Sequence, residues 1–244
     1  MSGIDAVKIP PFGDGPSKSS PFEGLIVPID KPAGITSFGV VRRIRGATGV
    51  KRVGHAGTLD PFAEGVLVVG IGRSATRRLG EYLRQEKEYV GRVVLGVVTD
   101  TYDPTGKVVE NNPYAPPDER RVCEVLRGFR GMIEQIPPLY SAVKVGGQRL
   151  YKAARKGLAV EREPRRVEVK RIELVQMRKD GFDIRVVCSH GTYIRTLAYD
   201  IGRALGCGAH LGKLVRTRVG RFTRERALNL NEFISEISQT GKGD

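Results

Sequence analysis

Acidic residues are the scarce charge in this sequence: 27 Asp plus Glu stand against 41 Lys plus Arg, a formal net charge of +14. A deficit of that size points to a polyanionic partner, because Lys and Arg that replace condensed counterions on phosphates bind them through ion release. Cysteine is also sparse. Cys123, Cys188 and Cys207 lie far apart and form no CxxC pair, which excludes a disulfide scaffold and a cysteine-based zinc site. Long apolar runs are missing as well. The greasiest stretch, Val66 to Ile71, is far too short to span a bilayer, and the N-terminal MSGIDAVKIPPFGDGPSKSSPFEG has no apolar signal core. With no lipidation motif or lysine-rich amphipathic helix, a membrane is not the partner; the chain reads as a soluble cytoplasmic protein that binds nucleic acid.

Neither phosphate-binding loop is present in full. No GxxxxGK[ST] occurs. Gly70-x-Gly72-x-x-Ala75 follows an apolar run, as in a dinucleotide-binding turn, but the acid required about 20 residues further on does not end the next strand. The pair reads instead as a tight turn at a helix start, and no cofactor is expected.

What is present reads as one body with loose ends. Residues 1–22 are rich in Pro, Gly and Ser without periodicity and read as a flexible tail, as do residues 239–244; the domain lies between, at 23–238. GLIVPIDKP reads as a strand, and TSFGVVRRIRGATG as a helix capped by Thr36 or Ser37 with Phe38, Val41 and Ile44 on one face. Glu88 to Val98 reads as a long strand stopped by TDTYDPTG, and Asp118 to Phe129 as a helix. PRRVEVKRIELVQM and FDIRVVCS form two strands about a Lys179-Asp180-Gly181 turn, followed by helices at 193–205 and over NLNEFISEI. Long strand pairs among helices, with no βαβ repetition, give an α+β fold with a mixed, largely antiparallel sheet flanked by helices.

The chemistry concentrates in GHAGTLDPFAEGVL, residues 54–67, where one histidine and one aspartate sit five apart among glycines. Asp60-Pro61 alone would suit a helix start, but Ala63 stands where a capping box would close. Gly54, Gly57 and Gly65 instead allow a backbone to approach a ligand closely. There is no second carboxylate before Glu64 and no metal-ligand cluster.

GHAGTLDPFAEGVL resembles the signature loop of the TruB family of tRNA pseudouridine synthases. IDKPAGITS (29–37) resembles the family's KPxGxTS motif, and KEYVGRVVLGVVTDTYDPTG (87–106) its KxY strand and TDTxDxxG turn. IPPLYSAVKVGGQRLYKAARKG (136–157) is similar to an RNA-gripping insert, and SHGTYIRTLAYDIGRALGCGAHLGKLVRT (189–217) to the GTYIR helix and C-terminal segment. The resemblance spans about residues 23–232 in family order and implies the pseudouridine synthase fold, with isomerisation of uridine 55 in the T loop of tRNA.

Carried over, it makes Asp60 the nucleophile and Arg195 its ion-pair partner, expected to lower the Asp60 pKa. Tyr89 would stack on the base and assist proton removal, Tyr193 and Leu214 would pack around the site, and His55 would fill the space of an extruded uracil. Lys31 of the first motif and Asp100 of the TDT turn are expected to contact substrate or support its polar network. Lys144, Arg149 and Lys152 in the insert, with Arg155 and Lys156, recur at three- and four-residue spacings that place several on one helical face toward phosphates; Arg42, Arg43 and Arg45 add charge. The chain reads as a short form without the family's C-terminal PUA domain, a monomer needing no protein partner, metal or cofactor. Two other readings stay open: a guide-RNA-dependent synthase of the dyskerin type, and an RNA-folding factor.

Overall fold

The computed structural model describes residues 21–138, 144–145, 148–149 and 162–240. Its spine is a ten-stranded sheet. β1 (Ile26–Lys31), β2 (Val53–Ala56), β3 (Glu64–Ile71) and β4 (Lys87–Leu95) come from the first half of the chain. β7 (Gly131–Gln135), β10 (Arg165–Arg178), β11 (Gly181–Cys188), β12 (Ala209–Val219), β13 (Phe222–Thr223) and β14 (Leu228–Asn229) complete it. The order is β14-β1-β3-β12-β4-β11-β10-β7, with β2 on β3 and β13 on β12. Only β1/β14 and β3/β12 pair in parallel, so the sheet is largely antiparallel, as the α+β reading expects. Two small ribbons stand apart: β5 (Val97–Thr99) with β6 (Val108–Asn111), and β8 (Lys144–Val145) with β9 (Gln148–Arg149).

Residue pattern explains the elements. In β4 every second residue from Lys87 to Leu95 is buried, the period of two that sets one face against a core. β3 is buried on both faces from Gly65 to Ile71, matching its continuous apolar run. Helix α1 (Ser37–Thr48) opens where Thr36 Oγ1 accepts the Gly39 amide at 2.8 Å and closes on Gly49. Helix α2 (Arg73–Leu83) follows Gly72, whose φ of 87° and contact with Glu23 leave no room for a Cβ; the Gly70/Gly72 pair is the helix-start turn. Helices α3 (Glu119–Arg127), α4 (Ile194–Ala204) and α5 (Leu230–Thr240) follow.

Three apolar clusters flank the sheet, the smallest built by Leu79 and Tyr82 of α2 on Ala56, Val66 and Val68. α1 and α5 cover β1 and β3 through Val40, Val41, Ile44, Leu67 and Phe233, and α4 covers β4, β11 and β12 through Leu197, Ile201, Phe182 and Leu211.

Four expectations shift. Phe22, assigned to the tail, is buried in the α1/α5 core. Phe38 is 60% exposed because Val40 takes the inward position, and the Arg45 guanidinium lies 5.6 Å from its ring. The 88–98 strand is two strands, β4 and β5, interrupted at Gly96. Within the insert, Gln148–Arg149 are strand, not helix; Lys152, Arg155, Lys156 and the tail residues 1–20 and 241–244 lie outside the described residues. No described helix is long and apolar enough to cross a membrane.

Candidate active site

Asp60 sits in a tight turn, not at a helix start: the Ala63 amide donates to Asp60 O at 3.1 Å and no helix follows. The first motif builds this turn from behind. Ser37 Oγ donates to Leu59 O at 3.0 Å and accepts the Leu59 amide at 2.8 Å, fixing the residue before Asp60. Lys31, fully buried at the end of β1, donates from Nζ to Pro32 O, Ile35 O and Pro61 O at 2.9, 2.7 and 3.4 Å. Its expected role in substrate contact is therefore corrected: its three donors are spent on backbone carbonyls, and it holds the turn. Burial brings its ammonium down to about 8.

Arg195, on the first turn of α4, meets the turn with a two-point fork: Nε lies 3.0 Å from Asp60 Oδ2 and Nη2 3.4 Å from Oδ1. This is the planar geometry that distinguishes arginine from lysine. Its Nη1 turns the other way, to Asp103 Oδ2 at 3.1 Å and Thr101 O at 3.0 Å. Arg195 and Asp103 side chains are each 5% exposed, whereas the Asp60 side chain is 32% exposed and opens on a cleft. One guanidinium thus bridges a structural carboxylate and an accessible one.

Asp103, rather than the Asp100 expected from the same turn, is the acid that meets Arg195. Asp100 Oδ1 instead accepts the Lys107 amide at 2.8 Å and closes the loop. The two acids are three apart in one turn, and only the folded chain shows which one faces Arg195. Thr101 and Thr105 hydroxyls then anchor Asp103 Oδ1 at 2.7 and 2.6 Å.

The cleft, about 360 Å³, is walled by Gly57 to Asp60, by Tyr89 and Lys87 on β4, by His190 to Arg195, and by Leu214 and Arg216 on β12. Tyr89, Tyr193 and Leu214 therefore join Asp60 and Arg195 as expected. Burial pushes the Tyr89 phenol above its usual value, so at neutral pH it keeps its proton. Arg216 and Lys87 are further wall residues that went unnoticed. Arg216 donates from Nε to Val66 O at 2.7 Å and from Nη2 to Gly57 O at 3.0 Å, fastening both ends of the Asp60 turn. Gly65, at φ 102° and against the Arg216 backbone, permits that approach. Lys87 Nζ donates to Gln85 O at 2.6 Å, and burial lowers it to about 8.

His55 stands on edge strand β2, opposite Val69, rather than in a loop, and is not part of the cleft wall. Its Nδ1 is buried without a hydrogen-bond partner, and burial and Arg216 lower its pKa, so the ring is neutral at pH 7. Lys144 and Arg149 pair with each other on the β8/β9 ribbon.

Asp60 departs from expectation in one respect. Arg195 does draw its pKa down, but burial outweighs that and Asp103 adds to it, so the net direction is upward. Its carboxylate form is thus maintained only above an elevated pKa. The acid limb of the kcat/KM profile should consequently fall above the ordinary aspartate value of about 4. A limb at or below that value would contradict this electrostatic balance.

With this geometry in place, two family models match: TruB family pseudouridylate synthase (N terminal domain) over residues 45–194, and tRNA pseudouridylate synthase B C-terminal domain over 195–242. Curated relatives named tRNA pseudouridine synthase B include one from Protochlamydia amoebophila, 48% identical over 86% of this chain and 79% of its own. Another, from Desulfotalea psychrophila, is 47% identical over 88% of this chain and 89% of its own. Among solved structures, a chain in a Cbf5-Nop10-Gar1 complex superposes with a TM-score of 0.70 at 31% identity, covering 89% of this chain and 55% of that one.

Proposed function

Since the chain belongs to the TruB family of pseudouridylate synthases, we propose that it converts uridine 55 in the T loop of tRNA to pseudouridine. The observation that carries this reading is the accessible Asp60 carboxylate, forked by a buried Arg195 and set at the mouth of a cleft sized for a nucleobase. Asp60 acts on the ribose, by attack at C1′ or by taking a proton from C2′, and the C1′–N1 bond breaks. The uracil turns and bonds to C1′ through C5; the C5 proton leaves to solvent and N1 gains one. No group is added or removed overall, which is why one carboxylate serves.

The other residues divide the remaining work. Tyr89 stacks on the base, and its protonated phenol suits stacking better than abstraction of the C5 proton. Leu214 and Tyr193 complete the wall, and Arg195 holds Asp60. His55, neutral and beside the Asp60 turn, stacks in the place of the extruded uracil, which costs a few kcal/mol to flip. The basic insert, with Lys144, Arg149 and Lys152, grips phosphates. Residues 22–240, from the buried Phe22 to the end of α5, work as one catalytic domain, a monomer acting on free tRNA in the cytoplasm without a guide RNA or protein partner.

Two measurements follow. Transcripts tritiated at uridine C5 should release one equivalent of tritium per tRNA with the purified chain alone. No release, or release only with an added guide RNA, would overturn the reading. Affinity for tRNA should also fall steeply with salt: with about five or more phosphate contacts, Kd rises roughly a hundredfold or more between 50 and 200 mM monovalent salt. A Kd that changes less than threefold would mean that the +14 surplus does not serve RNA binding.

A further inference from the structure

Among the described residues, Tyr102 is the one non-glycine with a positive φ, 59°. A bulky side chain disfavours that left-handed conformation, so something must hold it. The position is telling: Tyr102 lies between Thr101, whose carbonyl accepts from Arg195, and Asp103, whose carboxylate does the same. In a turn of this shape, one residue in the left-handed region lets a carbonyl and the next-but-one side chain converge on a single guanidinium.

What holds Tyr102 is visible on both its backbone and its ring. Its amide donates to Thr99 O at 3.1 Å, and its carbonyl accepts the Leu211 amide of β12 at 3.0 Å. Its ring stacks on Tyr199, with centroids 4.2 Å apart and planes 18° from parallel. Tyr199 is four residues beyond Arg195 on α4, hence on the same side of the helix. The stack and the Arg195–Asp103 ion pair therefore join the same two elements at neighbouring points. Arg162 donates from Nη1 to Pro137 O at 3.0 Å, tying together the chain on either side of residues 139–161.

We infer that Tyr102 is a positioning residue for the reaction: stacked on Tyr199, it keeps the 99–106 turn in the shape that presents Thr101 and Asp103 to Arg195, and so aims Arg195 at Asp60. The inference rests on the reading of Asp60 and Arg195 as the reacting pair. Simple packing would explain a half-buried tyrosine pair, but it would not require a left-handed backbone at the residue between two Arg195 ligands.

The test compares Tyr102→Phe, Tyr102→Gly and Tyr102→Ala in the full chain with a tRNA transcript. Phe keeps the stack and should hold kcat within about threefold. Gly loses the stack but adopts positive φ freely, and should lose about tenfold. Ala loses the stack and resists the conformation, so the turn relaxes and kcat should fall further, toward a hundredfold, since small misplacements at a reacting centre cost that much. KM should move little. A second readout separates positioning from mere stability. The charged groups facing Asp60 are Arg195, Asp103, Lys31 and Arg216. A displaced Arg195 withdraws a cation from that set, so the acid limb of kcat in the Gly and Ala variants should move to higher pH.

Gly and Ala variants within twofold of wild type would overturn the inference, as would losses confined to KM or losses with an unmoved acid limb. Should Ala fail to fold, the Phe and Gly variants make the same comparison. A wild-type protein that forms no pseudouridine would instead sink the functional reading, and this inference with it.

Discussion

Replacing Asp60 with Asn should abolish pseudouridine formation, lowering the single-turnover rate by on the order of 10⁴-fold or more, as loss of a nucleophile does. Tm should not fall. The fold raises the Asp60 pKa, so it disfavours the ionised form. For such a carboxyl, folding stability is lost as pH rises through the raised value, and at pH 7 a neutral Asn removes that penalty. Asn is also close in shape, and its oxygen can still accept from Arg195. Measured rates within tenfold of wild type would remove Asp60 from the chemistry. A rate loss accompanied by a large drop in Tm would instead point to a structural role.

Replacing Arg195 with Leu should damage both function and fold, for reasons that can be separated. In the fold, Asp103 would be left buried at 5% exposure with Oδ2 unpaired, and breaking a buried pair in this way costs about 3–5 kcal/mol. In the site, Asp60 would lose both arms of its fork, and the rate should fall on the order of 10²–10³-fold, comparable to losing a preorganised charge partner. Adding Asp103→Asn neutralises the stranded carboxylate while keeping an oxygen for Thr101 and Thr105, so the double variant should regain much of the stability but none of the rate. Recovery of both together would mean that Arg195 matters only as a structural ion. Arg195→Lys keeps the charge without the fork, and should retain more stability than activity.

How much of this was legible in the sequence depends on the range of the interaction. Local rules were readable: Thr36 and Gly49 bracket α1, the Lys179-Asp180-Gly181 turn joins β10 to β11, and period-two burial marks β4. Asp60 and Arg195 are 135 residues apart, and no periodicity links them; the motif resemblance placed them together, and the fork confirms that they meet. Choices among similar residues within a motif failed where the outcome depends on packing. Asp100 and Asp103 share a turn, and the approach of α4 decides which one binds Arg195. Lys31 looks like a substrate contact in sequence because lysines are seldom buried, yet three carbonyls converge to receive its ammonium. Phe22 follows a Pro- and Ser-rich run, and its burial depends on a core assembled from α1 and α5, the latter more than 200 residues away. Arg216, which ties both ends of the Asp60 turn, is hidden among five arginines between 216 and 226 that composition cannot rank.

The most direct test of the account is a nucleotide-resolution map of pseudouridine across an unmodified tRNA transcript incubated with the purified chain alone. The account predicts one converted position, uridine 55, dependent on Asp60. An unmodified uridine 55, or pseudouridine only at other positions, would contradict it.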